Sequence, residues 1–160
     1  MNKLGGLVRV YADTSVFGGV FDEEFSRASQ SFFDDVRAGR LLLVTSAVVE
    51  DELVEAPSEV LACFNGMLAW MERAELNDQA LALRRAYVAA GIVTPKSAAD
   101  ALHVALATTS ACKVLVSWNC RHIVNFQKIP MYNAVNRLHG FAEIAIHTPL
   151  EVAGNENQNI

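Results

Sequence analysis

Hydrophobic positions along the chain switch repeatedly between two periods. Residues 7–12 form a short apolar run with β-branched members that ends on Asp13, the pattern of a buried strand. Phe32, Phe33 and Val36 then recur at helical spacing within residues 25–38, and Gly39 stops that element. A second strand is expected over 41–45, followed by a helix over 47–56 for which Ser46 is the candidate cap and Pro57 the terminator. Helical patterns continue over 58–75 and 78–90, the latter closed by Gly91. Ser97 opens an almost wholly apolar helix over 98–109, and residues 113–117 read as a third strand. A further helical segment ends near Gly140, and 141–147 reads as a fourth strand.

Strands alternating with helices predict a three-layer α/β/α domain with a central parallel sheet, in which ligand chemistry collects at the carboxyl ends of the strands. A chain of 160 residues supports one such domain. It is placed over 1–152, and the polar, Asn-rich residues 153–160 are expected to form a disordered tail.

Composition narrows the class. With 52% hydrophobic residues against 19% charged, disorder is excluded and an oligomer with a covered apolar surface is expected. Neither residues 1–6 nor any later stretch provides the ~20 uninterrupted apolar residues of a membrane span. Cys63, Cys112 and Cys120 are an odd set without metal-ligand spacing, which suits the reducing cytoplasm. A net charge of −5 argues against gripping nucleic acid through bulk electrostatics. Carboxylates gathered to hold cations would themselves make a small enzyme acidic, and local basic patches can still track a phosphate backbone.

Four residues draw attention as candidate chemistry. Asp13 directly follows the first strand, where an Asp serves either as a helix cap or as a functional carboxylate. Glu52 lies at i+4 from Val48 and i+3 from Val49, inside the apolar stripe of its helix; it either snorkels outward or turns inward to a partner or a metal. Asp100 is in the first turn of the apolar helix, at capping-box spacing from Ser97, so a structural role competes with a functional one. His103, one turn further, reads as a hydrogen-bonded core histidine and is left outside the site. Asn119 follows the third strand at a place equivalent to that of Asp13, with a turn as its alternative role. Three carboxylates and an amide oxygen, without thiolates or paired histidines, suit Mg²⁺ or Mn²⁺. Two carboxylates ~5 Å apart repel by roughly 3 kcal/mol at an effective dielectric of about 20, so convergence of three calls for bound positive charge.

The order of these residues resembles the PIN domain, in the small form found in VapC toxins of type II toxin-antitoxin modules. The resemblance rests on Asp13-Thr14-Ser15 after the first strand, Ser46 with Glu52-Leu53, Asp100 opening an Ala-rich apolar helix, and Ser117-Trp118-Asn119 after a strand. It extends from Val8 to about Val152 and includes the closing Ile-His-Thr-Pro-Leu-Glu segment at 146–151. It implies a Mg²⁺- or Mn²⁺-dependent endoribonuclease with Asp13, Glu52, Asp100 and Asn119 as catalytic positions. Asp13, Glu52 and Asp100 would bind metal, and Thr14, Ser15 and Ser117 would support them or contact phosphate. It further implies a homodimer and a cognate antitoxin that occludes the site. Asn119 departs from the pattern, in which an Asp is common, and removes one anionic ligand for a second metal. Arg121, His122 and Lys96 are candidate phosphate contacts, against a simpler role as solvated surface residues.

A phosphatase of the haloacid dehalogenase type also places an Asp after its first strand, but it needs a second Asp two residues on, where this chain has Ser15. Nucleotide-binding readings find neither a Walker-type loop nor a glycine fingerprint after residues 7–12. The stronger alternative is a PIN-like module with a weakened site, acting through protein or RNA binding without cleavage.

Overall fold

Segments of three to six residues, most of them apolar and the central ones rich in Val and Leu, build a five-stranded sheet in the computed structural model, which describes residues 7–153. The strands are β1 (Val8–Ala12), β2 (Leu41–Ser46), β3 (Met71–Ala74), β4 (Val114–Val116) and β5 (Ala145–His147). All pair in parallel, in the order β3-β2-β1-β4-β5. Val10, Tyr11, Ala12, Leu43, Val44, Leu115 and Val116 are fully buried, as expected for strands covered on both faces.

The helices are α1 (Thr14–Gly19), α2 (Ser26–Arg37), α3 (Ala47–Leu53), α4 (Ser58–Met67), α5 (Asp78–Ala89), α6 (Ala98–Thr109), α7 (Lys128–Leu138) and α8 (Pro149–Ala153). The connections from β1 to β2 and β2 to β3 run one way along the sheet, and those from β3 to β4 and β4 to β5 run the other. Right-handed crossovers then put α1–α4 on one face and α5–α7 on the other. The first face is filled by Phe17, Phe33 and Phe64, whose rings lie 5.0 and 5.2 Å from that of Phe17. The second holds Tyr87 and Tyr132 edge to face at 4.9 Å. There the Tyr87 hydroxyl donates to Asn136, which donates to Thr108 at 3.2 Å, so one buried polar chain joins α5, α7 and α6. This is the three-layer α/β/α architecture with a parallel sheet expected from the sequence.

Several elements differ from expectation. The helix expected over 58–75 ends at Met67, passes through one 3-10 turn and becomes the edge strand β3. Met-Glu-Arg-Ala has no β-branched residue, and the strand owes its existence to tertiary partners. It pairs with β2, Glu72 forms a 2.7 Å ion pair with Arg9, and Arg73 pairs with Glu50 and Glu75. The short α1 follows β1 without an apolar period long enough to announce it. Of the strand expected over 141–147, only the last three residues pair, because β4 itself spans only three. The helix over 98–109 stands as expected, with Ala101 through Thr108 buried.

Among the described residues, no helix is long and apolar enough to cross a membrane. Of the tail expected over 153–160, Ala153 instead closes α8; its residues 154–160 and the amino-terminal residues 1–6 lie outside the described residues.

Candidate active site

β1 is the middle strand, and the connection to its two neighbours reverses there. The crevice at its carboxyl end, between β1 and β4, is where an open α/β sheet presents side chains to a ligand. Asp13 stands at that point, with its backbone N–H bonded to the Val116 carbonyl at 3.2 Å. Its carboxylate is only 4% exposed. Oδ1 accepts from the Ser15 backbone N–H at 3.1 Å and from Ser15 Oγ at 2.5 Å, while Oδ2 accepts from Ser117 Oγ at 2.6 Å. Asp13 is thus the cap of α1 as well as a buried acid, so the two roles open at the sequence level coexist.

The two serines are fixed in turn. Ser15 Oγ accepts from the Trp118 N–H at 2.8 Å and Ser117 Oγ from the Asn119 N–H at 2.9 Å. Both hydroxyl protons are thereby directed at Asp13. Burial raises the pKa of Asp13 above its ordinary value; the charge of His103 and the two serine hydrogen bonds oppose this, and Glu52 adds to it. Thr14, beside Asp13, has a hydroxyl oxygen that is buried and has no hydrogen-bond partner among the described residues.

Glu52 projects from α3, which Ser46 caps through a 3.3 Å bond from the Val49 N–H. Its side chain is 41% exposed, and Oε1 meets Nε2 of His103 at 2.5 Å. Asp100 is half-buried in the first turn of α6. Ser97 makes no side-chain cap there; its hydroxyl lies 3.4 Å from His122 Nε2 instead, so the capping box suggested by spacing does not form.

His103 is the residue that the sequence reading left out and that the fold puts at the centre. It is buried, and its other nitrogen, Nδ1, lies 2.8 Å from the Tyr11 hydroxyl, which is also 2.8 Å from Ser46 Oγ. Burial works against a charge on His103, but the Glu52 hydrogen bond and the charges of Asp13, Glu52 and Asp100 outweigh it and raise its pKa. All three acids therefore act on this imidazole. Two signals in the sequence point to the arrangement. His103 is at i+3 from Asp100, on the same helix face, and Tyr11 is a hydroxyl-bearing residue in the buried half of β1, two positions before Asp13.

Asn119 is half-buried, and its Oδ1 accepts from the His122 N–H at 3.0 Å, the turn role considered at the sequence level. His122 is wedged between Ser97 and Lys128, whose Nζ is 3.4 Å from His122 Nδ1 and donates to the Ile92 carbonyl at 2.7 Å. Arg121 and Lys96 are exposed. Trp118 stacks on Phe25 at 4.2 Å and donates from its indole to Ser29 at 2.9 Å.

The donor chemistry fits a hard divalent cation: carboxylates from three elements and the unpartnered Thr14 hydroxyl beside the most buried of them. Among the described residues, however, no three or more His, Cys, Asp or Glu side chains converge closely enough to hold an ion ready-made. Glu52 contacts His103, and the charges of Asp13 and Asp100 reach the same imidazole.

No protein-family model matches the chain, and no curated protein matches it. Among solved structures, the chain is similar to one in the crystal structure of VapBC2 from Rickettsia felis bound to a DNA fragment from their promoter. The TM-score is 0.59 at 13% identity, over 88% of this chain and 98% of that one. At this identity the likeness is one of fold, and it spans nearly the whole of both chains.

Proposed function

We propose that this protein is a divalent-metal-dependent endoribonuclease of the PIN type, acting as the toxin of a type II toxin-antitoxin module. The observation that carries the reading is that Glu52 hydrogen-bonds the buried His103 at the carboxyl edge of the sheet, where the charges of Asp13 and Asp100, from two other elements, also act on that imidazole. The fold shared with a chain of the VapBC2 complex supports it.

Asp13, Glu52 and Asp100 would hold Mg²⁺ or Mn²⁺, which when bound supplies a polarised phosphodiester and a more acidic water. The residues of the chain do the rest. Ser15 and Ser117 orient Asp13 through three hydrogen bonds counted with the Ser15 N–H, which keeps both carboxylate oxygens at fixed positions. The free hydroxyl of Thr14 offers a contact for phosphate or a bound water. Glu52, open to solvent on one side, faces incoming substrate. A homodimer and a cognate antitoxin belong to this reading, and exposed apolar side chains such as Val54, Leu68 and Leu138 offer surface for such partners.

The test is cleavage of single-stranded and structured RNA by the purified protein with Mn²⁺, Mg²⁺ or EDTA, beside Asp13→Asn and Asp100→Asn. Metal-dependent cutting that either substitution abolishes is the expected outcome. Cutting that survives both locates the activity elsewhere.

A second reading, a PIN-like module that binds without cutting, is favoured by two observations: Asn119 spends its side-chain oxygen on the turn at His122, and no ready-made metal cluster is assembled among the described residues. RNA binding in the same preparation without cleavage under any metal would establish it.

A further inference from the structure

Three candidates outside the acids themselves stand out: a largely apolar cavity of about 520 Å³ beneath β4 and β5, the His122–Lys128 pair, and the hydrogen-bonded chain running through the protein from Ser46 to Glu52. Ser46 Oγ accepts the Val49 N–H as the cap of α3, which leaves its own proton to donate. The Tyr11 hydroxyl lies between Ser46 Oγ and His103 Nδ1, and it can accept from the first while donating to the second. A neutral imidazole that accepts at Nδ1 must carry its proton on Nε2, which faces Glu52 Oε1. The opposite tautomer would set a nitrogen lone pair against a carboxylate oxygen at 2.5 Å, with no proton between them. The Glu52 end of the chain therefore demands a proton on Nε2, and the Tyr11–Ser46 pair accommodates that form.

We propose that His103 is a positioning residue for Glu52, held by Tyr11 and Ser46 in the form that donates from Nε2, so that one carboxylate oxygen is fixed and the other is turned toward the ligand. This rests on the reading that Glu52 belongs to the site. The chain is built from the same three regions that carry the acids: Tyr11 is two residues before Asp13, Ser46 caps the helix of Glu52, and His103 is one turn from Asp100. A shift of any one region would be felt by the other two through this imidazole. The Glu52 Oε2 atom has no hydrogen-bond partner among the described residues, which leaves it the freer oxygen.

The experiment compares Mn²⁺ affinity, by calorimetry, for the wild type, His103→Gln, His103→Asn and His103→Leu, with unfolding free energies measured alongside. Gln places an N–H donor near the position of Nε2, Asn places one only near Nδ1, and Leu places none. Affinity should fall about tenfold to a hundredfold in the Asn and Leu variants and stay near wild type in Gln, whatever the order of their stabilities. Affinities that follow stability instead, or a Leu variant that binds as the wild type does, overturn the proposal.

Nitrogen-15 spectra of the metal-free wild type provide a readout that needs no metal. At a pH where the imidazole is neutral, a proton on Nε2 of His103 with Nδ1 accepting is expected, and a proton on Nδ1 alone overturns the positioning role. If the wild type binds no Mn²⁺, the metal reading of the site fails, and the spectra then decide the role of His103 by themselves.

Discussion

Glu52 on α3 and His103 on α6 are 51 positions apart in sequence and meet at 2.5 Å across the carboxyl edge of the sheet. One partner is buried and the other is 41% exposed, so the pair links the interior to the surface. Its electrostatics set the first prediction. The pKa of His103 is raised from 6.5 because the Glu52 hydrogen bond and the charges of Asp13, Glu52 and Asp100 outweigh the burial that opposes them.

A raised folded-state pKa means that the native protein holds this proton more tightly than the unfolded chain does. Its contribution to stability is fully present below pH 6.5 and is lost as pH rises through the folded value. The raised pKa of Asp13 acts with the same sign from 3.8 upward, since a buried carboxylate costs stability once it ionises. Chemical denaturation at a series of pH values should therefore show unfolding free energy declining on the alkaline side of 6.5. His103→Gln should flatten that decline, and stability that climbs with pH in this window would contradict the assignment.

Ser117 is fully buried, donates to Asp13 Oδ2 and accepts from the Asn119 N–H. In Ser117→Ala both partners lose a bond in the interior, which should cost about 1–3 kcal/mol in urea denaturation. The Asp13 pKa should rise further, because the Ser117 hydrogen bond is one of the influences that lower it. Carbon-13 titration of the Asp13 carboxylate reads this directly.

Gly19 and Gly18 are adjacent in α1 yet should respond oppositely to alanine. A Cβ on Gly19 would lie 2.6 Å from both Ser29 Oγ and Trp118 Nε1, whereas one on Gly18 meets nothing within 4 Å. Gly19→Ala should cost about 1–3 kcal/mol through overpacking. Gly18→Ala should gain about 0.5–1 kcal/mol from helix propensity and reduced chain entropy. Trp118 fluorescence, read in a Trp70→Phe background, should change in the first variant alone as the stack on Phe25 is displaced.

Asn119→Asp preserves an acceptor for the His122 N–H and should change stability by no more than about 0.5 kcal/mol. Asn119→Ala removes the acceptor and should cost about 1 kcal/mol, as loss of a capping side chain does. Thermal denaturation of the pair separates the turn role of Asn119 from any role in chemistry, which the RNA cleavage assay measures on the same preparations.

The sequence by itself determined the alternation of elements, because each buries its own apolar period. β1, β2 and α6 declare themselves as runs too apolar to face water, and α2 through Phe32, Phe33 and Val36. It also placed Asp13, Ser117 and Asn119 at the ends of strands, since a strand's carboxyl end is a matter of where the apolar run stops.

Tertiary structure decided what local pattern does not encode. β3 exists through its pairing with β2 and the Arg9–Glu72 bridge, against a sequence that reads as helix. Ser97 turned from capping α6 to meeting His122, a partner from a distant turn. The role of His103 depended on Tyr11, Ser46 and Glu52 arriving at one place from β1, β2 and α3. A helical histidine among alanines and leucines looks the same in sequence whether it fills space or holds a carboxylate. Only the positions of its two nitrogens relative to residues dozens of positions away distinguish these roles, and those positions are set by the packing of the whole sheet.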